Sequence, residues 1–161
     1  MNEKVNNLLN VQLNAELASY YIYLAMSAYF ESQSLRGMAK WMRVQSEEEK
    51  KHADKIFNYL VERSIKVEFS PISAPIGDWK GALSVFEAAL AHEKKITSMI
   101  YKIVELSASE KDFATNNFIQ WYVAEQVEEE SSTQTIVDQL KLVGEAKGGL
   151  MVIDHHLGKR E

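Results

Sequence analysis

The hydrophobic positions of this chain recur at helical spacing over almost its whole length. From about Glu3 to Phe30, the residues Leu9, Leu13, Glu16, Tyr20, Tyr23, Ser27 and Phe30 follow one another in steps of four and three, which puts their side chains on one face of a helix. A second stripe, Met38, Met42, Gln45, Glu49, His52, Ile56 and Tyr59, follows a turn around Ser32–Gly37, for which Ser34 is the expected N-cap. The stretch Ser64–Lys80 holds both prolines of the chain, Pro71 and Pro75, and breaks the helical pattern. Beyond it, with Asp78 as expected cap, Phe86, Leu90, Glu93, Ile96, Ile100 and Ile103 mark a third helix ending near Ser107. A short polar turn, Ser107–Lys111, leads to the stripe Ile119, Tyr122, Gln126, Glu129, Thr133, Ile136, Leu140 and Val143, which Gly144 can terminate. A short fifth helix is expected over about 146–157.

Linker lengths set the topology. A helix of about 28 residues is roughly 42 Å long, so only a long connection lets two sequential helices run parallel. The first and third turns are too short, whereas the segment of some 16 residues between the second and third helices reaches roughly 50 Å when extended. Two antiparallel hairpins joined by one long crossover follow, an all-α four-helix bundle of the ferritin-like type, with the bundle over about 3–143 inside a single domain spanning 1–161.

The same stripes carry polar residues where a core should be apolar. Glu16 lies between Leu13 and Tyr20, Glu49 and His52 between Met42 and Ile56, Glu93 between Leu90 and Ile96, and Gln126 and Glu129 between Tyr122 and Ile136. The spacing repeats: Glu16 to Glu49 and Glu93 to Gln126 are both 33 residues, and Glu49-x-x-His52 is matched by Gln126-x-x-Glu129 at an offset of 77. Glu48 and Glu125 obey that offset too. A glutamate in a helical pattern is ordinarily solvated, and the runs Glu47–Glu49 and Glu128–Glu130 would be read so. Consecutive helical residues point about 100° apart, however, so only Glu49 and Glu129 of these runs share the inward stripe. A Glu from each of two helices and a Glu-x-x-His pair from each of the others is the di-iron carboxylate arrangement, met here with one triplet altered. Four ionised carboxylates and a neutral imidazole balance two divalent cations, whereas without cations each buried charge costs several kcal/mol.

Composition narrows the chemistry further. The chain has 161 residues, 46% apolar and 25% charged, as expected of one soluble domain. It has no cysteine, which excludes thiolate ligands, thiol nucleophiles and disulfides, so a metal must sit on oxygen and nitrogen. The net charge is −5 and the basic residues form no block, which points to cations and not nucleic acid as partners. Glu3, Asn6, Asn7, Gln12, Asn14 and Glu16 interrupt the first helix, so neither a signal peptide nor a membrane span is expected there, and a soluble intracellular protein is.

Several neighbours admit two readings. Tyr23 shares the face of Glu16 and serves either to hydrogen-bond a ligand or supply an electron, or as a plain core tyrosine. Trp121 is assigned to packing, Met26, Met38 and Met42 to core filling, and His155 and His156 to the surface. Leu35, Trp79 and Leu150 are candidates for exposed interface contacts.

Through "WMRVQSEEEKKHADKIFNYL" and "DFATNNFIQWYVAEQVEEE" the chain resembles, over essentially its entire length, the non-haem ferritins of bacteria and archaea. By that resemblance Glu16, Glu49 and His52 hold a first iron with Glu49 bridging, Glu93 and Glu129 hold the second, and Gln126 lies beside it. Glu48, Glu125 and Glu129 look like the nearby third iron site of such proteins. The resemblance implies oxidation of Fe(II) by dioxygen or hydrogen peroxide and storage of the ferric mineral in a hollow cytoplasmic shell of 24 subunits. Bacterioferritins have a second Glu-x-x-His, and Lys50 stands where their haem methionine sits, so no haem is expected. Rubrerythrins add a cysteine-ligated iron, and the DNA-protecting mini-ferritins place ligands across a subunit interface; neither pattern is present. The segment Gly144–Gly149 and the tail after it are less diagnostic. Two other readings remain open at this point: a di-iron peroxidase or oxidase that does not mineralise, and a non-catalytic helical assembly protein with an inward polar network.

Overall fold

The helical stripes fold into five helices in the computed structural model, which describes residues 2–161: α1 (Glu3–Ser32), α2 (Arg36–Glu62), α3 (Ala82–Ser109), α4 (Phe113–Val143) and α5 (Lys147–Leu157). There is no strand among the described residues, and no helix is long and apolar enough to cross a membrane. Helix α1 packs along α2 and α3 along α4, the two hairpins meet through α1 and α3, and α5 lies against α2 and α4. This is the ferritin-like bundle expected from the linker lengths.

The long crossover is held to α1 by two asparagines one helical turn apart. Asn10 Nδ2 donates to the Lys66 carbonyl at 3.0 Å while its Oδ1 accepts the Glu68 N–H at 2.8 Å. Asn14 repeats this with the Glu68 carbonyl and the Ser70 N–H, both at 2.8 Å. Each carboxamide stands in for a strand residue, so these four backbone groups of the crossover are satisfied without a sheet.

Three helix ends share one geometry. Ser34, Ser64 and Lys111 have φ of 59°, 56° and 57°, and the next residue's N–H bonds back five positions, Leu35 to Phe30, Ile65 to Leu60 and Asp112 to Ser107. These are Schellman closures with a non-glycine residue in the left-handed position. Ser34 is therefore not the N-cap of α2: it ends α1, because Leu35 has to fold back onto the core, and Leu35 itself holds the cap position without a side-chain bond. Asp78 is likewise not the cap of α3. It accepts only the adjacent Trp79 N–H, and the helix starts at Ala82 after Gly81, whose φ of 130° no other residue adopts easily. Gly144 does end α4, and Asp112 caps its start by accepting the Thr115 N–H at 3.1 Å.

The core is divided. One apolar cluster includes Phe30, Met38, Met42, Phe86 and Leu140, and the other includes Leu9, Leu13, Ile56, Ile100 and Ile119. The inward polar residues of all four long helices fall between the two. Met26, Met38 and Met42 fill core space as expected. Leu35, Trp79 and Leu150 are less exposed than expected: Leu35 is buried and the other two pack, half-buried, against the first cluster, because the helix end, the crossover and α5 fold back onto it.

Candidate metal centre

Helical register places one carboxylate of each long helix in the polar layer. Glu16, Glu49 and Glu93 are each 1% exposed, His52 is 4% and Glu129 is 8% exposed. Glu16, Glu49 and His52 bring one ligand atom each to within 4.8 Å of the others, as do Glu49, Glu93 and Glu129, so Glu49 belongs to two clusters. A third, His52, Glu125 and Glu129, lies toward the surface. Of the eight inward or flanking positions singled out by the sequence, Glu48 and the neutral Gln126 enter none of these groups.

Each buried carboxylate has at least one oriented oxygen, and Glu93 has two. Gln12 Nε2 donates to Glu16 Oε1 and Gln45 Nε2 to Glu49 Oε1, both at 2.7 Å, each from the preceding turn of the same helix. Gln45 also reaches Glu129 Oε1 across the bundle at 3.3 Å. The Tyr23 hydroxyl donates to Glu93 Oε1, and Gln126 Nε2 donates to Glu93 Oε2 at 3.0 Å, to the Glu93 carbonyl at 3.1 Å and to Thr97 Oγ1 at 3.1 Å. Gln126 thus stands beside Glu93 with its amide nitrogen engaged in holding it. His52 sits at the centre: Nδ1 is 3.4 Å from Glu49 and 3.9 Å from Glu16, and Nε2 is 3.8 Å from Glu129 and 3.9 Å from Glu125. Its ring is edge-on to Trp121 and Tyr122, and the Tyr122 hydroxyl donates to the His52 carbonyl at 2.7 Å. Trp121 therefore packs on the histidine, half-exposed under the Lys55 ammonium.

The remaining oxygens are the telling ones. Glu16 Oε2 and Glu129 Oε2 are buried without any hydrogen-bond partner, a costly arrangement for protein atoms alone. Burial and then the Glu49 charge hold Glu16 well above the usual carboxylate range. Burial followed by the Glu93 charge raises Glu49 to about 8, and burial with the charges of Glu49 and Glu93 pushes Glu129 up to about 12. A set of convergent carboxylates that cannot all ionise is what a divalent cation relieves. The ligand types, carboxylate oxygen with one imidazole, suit iron, manganese or zinc.

At the outer edge, a cavity of about 350 Å³ opens among Trp41, Gln45, Glu48, Glu125, Glu128 and Glu129. Glu48 lines it, but its carboxylate is paired with Arg160 at 2.9 Å. Sequence reading gave no role to Gln12, Arg160 or Thr97, and Gln45 was seen only as a stripe position. The two glutamines were legible: both lie four residues before an inward glutamate, and Gln12 and Gln45 are 33 residues apart like the glutamates they serve. Arg160, far off in sequence, left no such signal. His155 and His156 are exposed on α5, as expected.

Comparison with known proteins agrees with this geometry. Residues 6–143 match the family model for the ferritin-like domain. The chain is 39% identical over 160 residues to a bacterial non-heme ferritin of Bacteroides fragilis, covering 99% of each, and 42% identical over 158 residues to a probable bacterial non-heme ferritin-like protein of Haemophilus influenzae, covering 98% of this chain and 96% of that one. Among solved structures, the open pore ferritin of Archaeoglobus fulgidus superposes with a TM-score of 0.98 at 46% identity, covering 100% of this chain and 99% of that one. A ligand-bearing polar layer inside a bundle of this connectivity, met by full-length relatives at such identity, means that the chain belongs to the non-haem ferritins of bacteria and archaea.

Proposed function

We propose that the chain is an iron-storage ferritin with ferroxidase activity, acting as one domain in a cytoplasmic homo-oligomeric shell of 24 subunits. Iron is its substrate and cargo. Membership of the ferritin family supports storage and iron oxidation, and the observation that supports cation binding at this centre is the pair of buried, unpartnered oxygens on Glu16 and Glu129. Two Fe(II) ions would relieve both. Glu16, Glu49 and His52 take one ion and Glu93 and Glu129 the other, with Glu49 shared because it belongs to both clusters. Each Fe(II) gives up one electron, and the pair reduces dioxygen, or hydrogen peroxide, by two electrons. Hard anionic carboxylates favour the ferric state and so make that loss downhill. Tyr23 and Gln126 hold Glu93, and Gln45 holds Glu49 and Glu129, so the ligands keep their places as the metal's charge changes. Glu125 and Glu129, with Glu48 at the rim, form an outer acceptor of a third ion on the way to the cavity. No haem takes part.

Adding excess Fe(II) in air to the metal-free protein and measuring iron per subunit across a sizing column tests this. Many irons per subunit in a very large assembly is the expected result. Two or three irons without mineral would replace the reading with a di-iron enzyme that does not store, and no retained iron would replace it with a structural bundle.

A further inference from the structure

The outer acidic pocket already contains a cation, and it comes from the C-terminal tail. Arg160 lies three residues beyond the end of α5 at Leu157 and turns back over α2. Its Nη2 donates to Glu48 Oε2 and to Gln45 Oε1, both at 2.9 Å. Nη1 donates to the Trp41 carbonyl at 3.2 Å, and the guanidinium carbon sits 4.3 Å from the centre of the Trp41 ring. The fork and the ring face together fix the group in a way an exposed ion pair does not. Arg160 also lines the cavity into which Glu125 and Glu129 face.

The Gln45 contact carries this further inward. Because Gln45 Oε1 accepts from Arg160, its amide nitrogen has to face the other way, and it donates to Glu49 at 2.7 Å and Glu129 at 3.3 Å. One glutamine thus joins the tail to two carboxylates of the inner clusters. Glu129, with its second oxygen buried and unpartnered, is shared by the inner and outer clusters.

We propose that Arg160 is the resident cation of the outer pocket, displaced when a divalent ion enters among Glu48, Glu125 and Glu129, so that filling this pocket releases the C-terminal tail and frees the Gln45 amide from Glu49 and Glu129. The inference rests on the ferroxidase reading above. Arg160 acts as a positioning residue. Since the guanidinium and the metal ion compete for Glu48, linkage requires that tail docking weaken outer-site binding by the same factor by which an outer ion weakens tail docking. The tail then reports the state of the outer pocket to the inner carboxylates.

Zinc(II) alone, which binds the same ligand types without redox chemistry, tests this on the intact metal-free assembly. Calorimetric titration of wild type, Arg160→Ala and Arg160→Lys should show the inner binding events in all three. The outer event should tighten about tenfold in Arg160→Ala, and by less in Arg160→Lys, whose ammonium keeps the charge but lacks the fork. In wild type, zinc beyond the inner equivalents should speed hydrogen exchange of the Gly158, Lys159 and Arg160 amides, which bond back to α5 carbonyls. Inner binding intact with the outer event absent or equally tight in wild type and Arg160→Ala overturns the proposal, as does tail exchange unchanged at zinc saturation. Loss of the inner events in all three proteins overturns the metal-centre reading itself.

Discussion

The carboxylate of Asp154 in α5 accepts the backbone N–H of Met38 in the first turn of α2 at 2.8 Å, so α2 receives from another helix the cap its own sequence lacks. Beside it, the Gly37 Cα lies so close that an added Cβ would fall 1.7 Å from the Asp154 carbonyl oxygen. Asp154→Ala should cost about 1–2 kcal/mol, because the Met38 N–H is left buried and unpaired. Gly37→Ala should cost more and detach α5, which exchange protection over 150–160 would register. Equal protection in Gly37→Ala and wild type would contradict this docking.

Glu49 is the residue shared by both inner clusters, and its loss should be the most damaging. Glu49→Ala should abolish rapid Fe(II) oxidation while the helical circular dichroism and assembly size persist. Gln45→Leu removes only a hydrogen-bond donor to Glu49 and Glu129, and should lower the oxidation rate or metal affinity by roughly 10–100-fold. A normal initial rate in Glu49→Ala would sink the assignment.

Tyr23 donates to Glu93, which decides against a tyrosine that merely fills the core. Tyr23→Phe should weaken the second of two zinc-binding events by roughly 10–100-fold and leave the first nearly unchanged. Identical titrations for the two proteins would return Tyr23 to a packing role.

In the metal-free protein, burial and Glu93 raise Glu49 from the ordinary 4.5 to about 8, so the folded chain binds this proton more tightly than the unfolded chain does. The stabilising contribution is therefore complete below about pH 4.5 and is lost as pH rises through about 8. Urea midpoints of the metal-free protein should fall steadily from about pH 5 to about pH 8, and zinc saturation should flatten the curve while releasing protons in that window. A flat metal-free profile would contradict the raised carboxylates.

Glu129 follows the same sign with a larger shift, to about 12, caused first by burial and then by the charges of Glu49 and Glu93. Glu129→Gln keeps the shape and removes the ionisable group. It should stabilise the metal-free protein at neutral pH by about 1–3 kcal/mol while impairing the second and outer cation sites. Measured destabilisation together with unchanged iron binding would rule out the role given to Glu129.

The sequence by itself determined the bundle, its crossover and the inward carboxylates, because helical periodicity is local: a glutamate three or four residues after one core side chain and three or four before the next has to point where they point. Glu16, Glu49, His52, Glu93 and Glu129 were legible for that reason, and the repeat at 77 residues made them stand out as a set. Tertiary structure alone decided the rest. Ser34 and Asp78 look like caps in a linear reading, yet Leu35 had to fold back onto the core and the crossover carried Asp78 away from α3. The amide direction of Gln45, the pairing of Glu48 with Arg160 and the capping of α2 by Asp154 join residues separated by more than 100 positions. No periodicity links such partners. They meet only because α5 packs across the end of the bundle, and the direction of each hydrogen bond is then fixed by which polar groups burial leaves within reach.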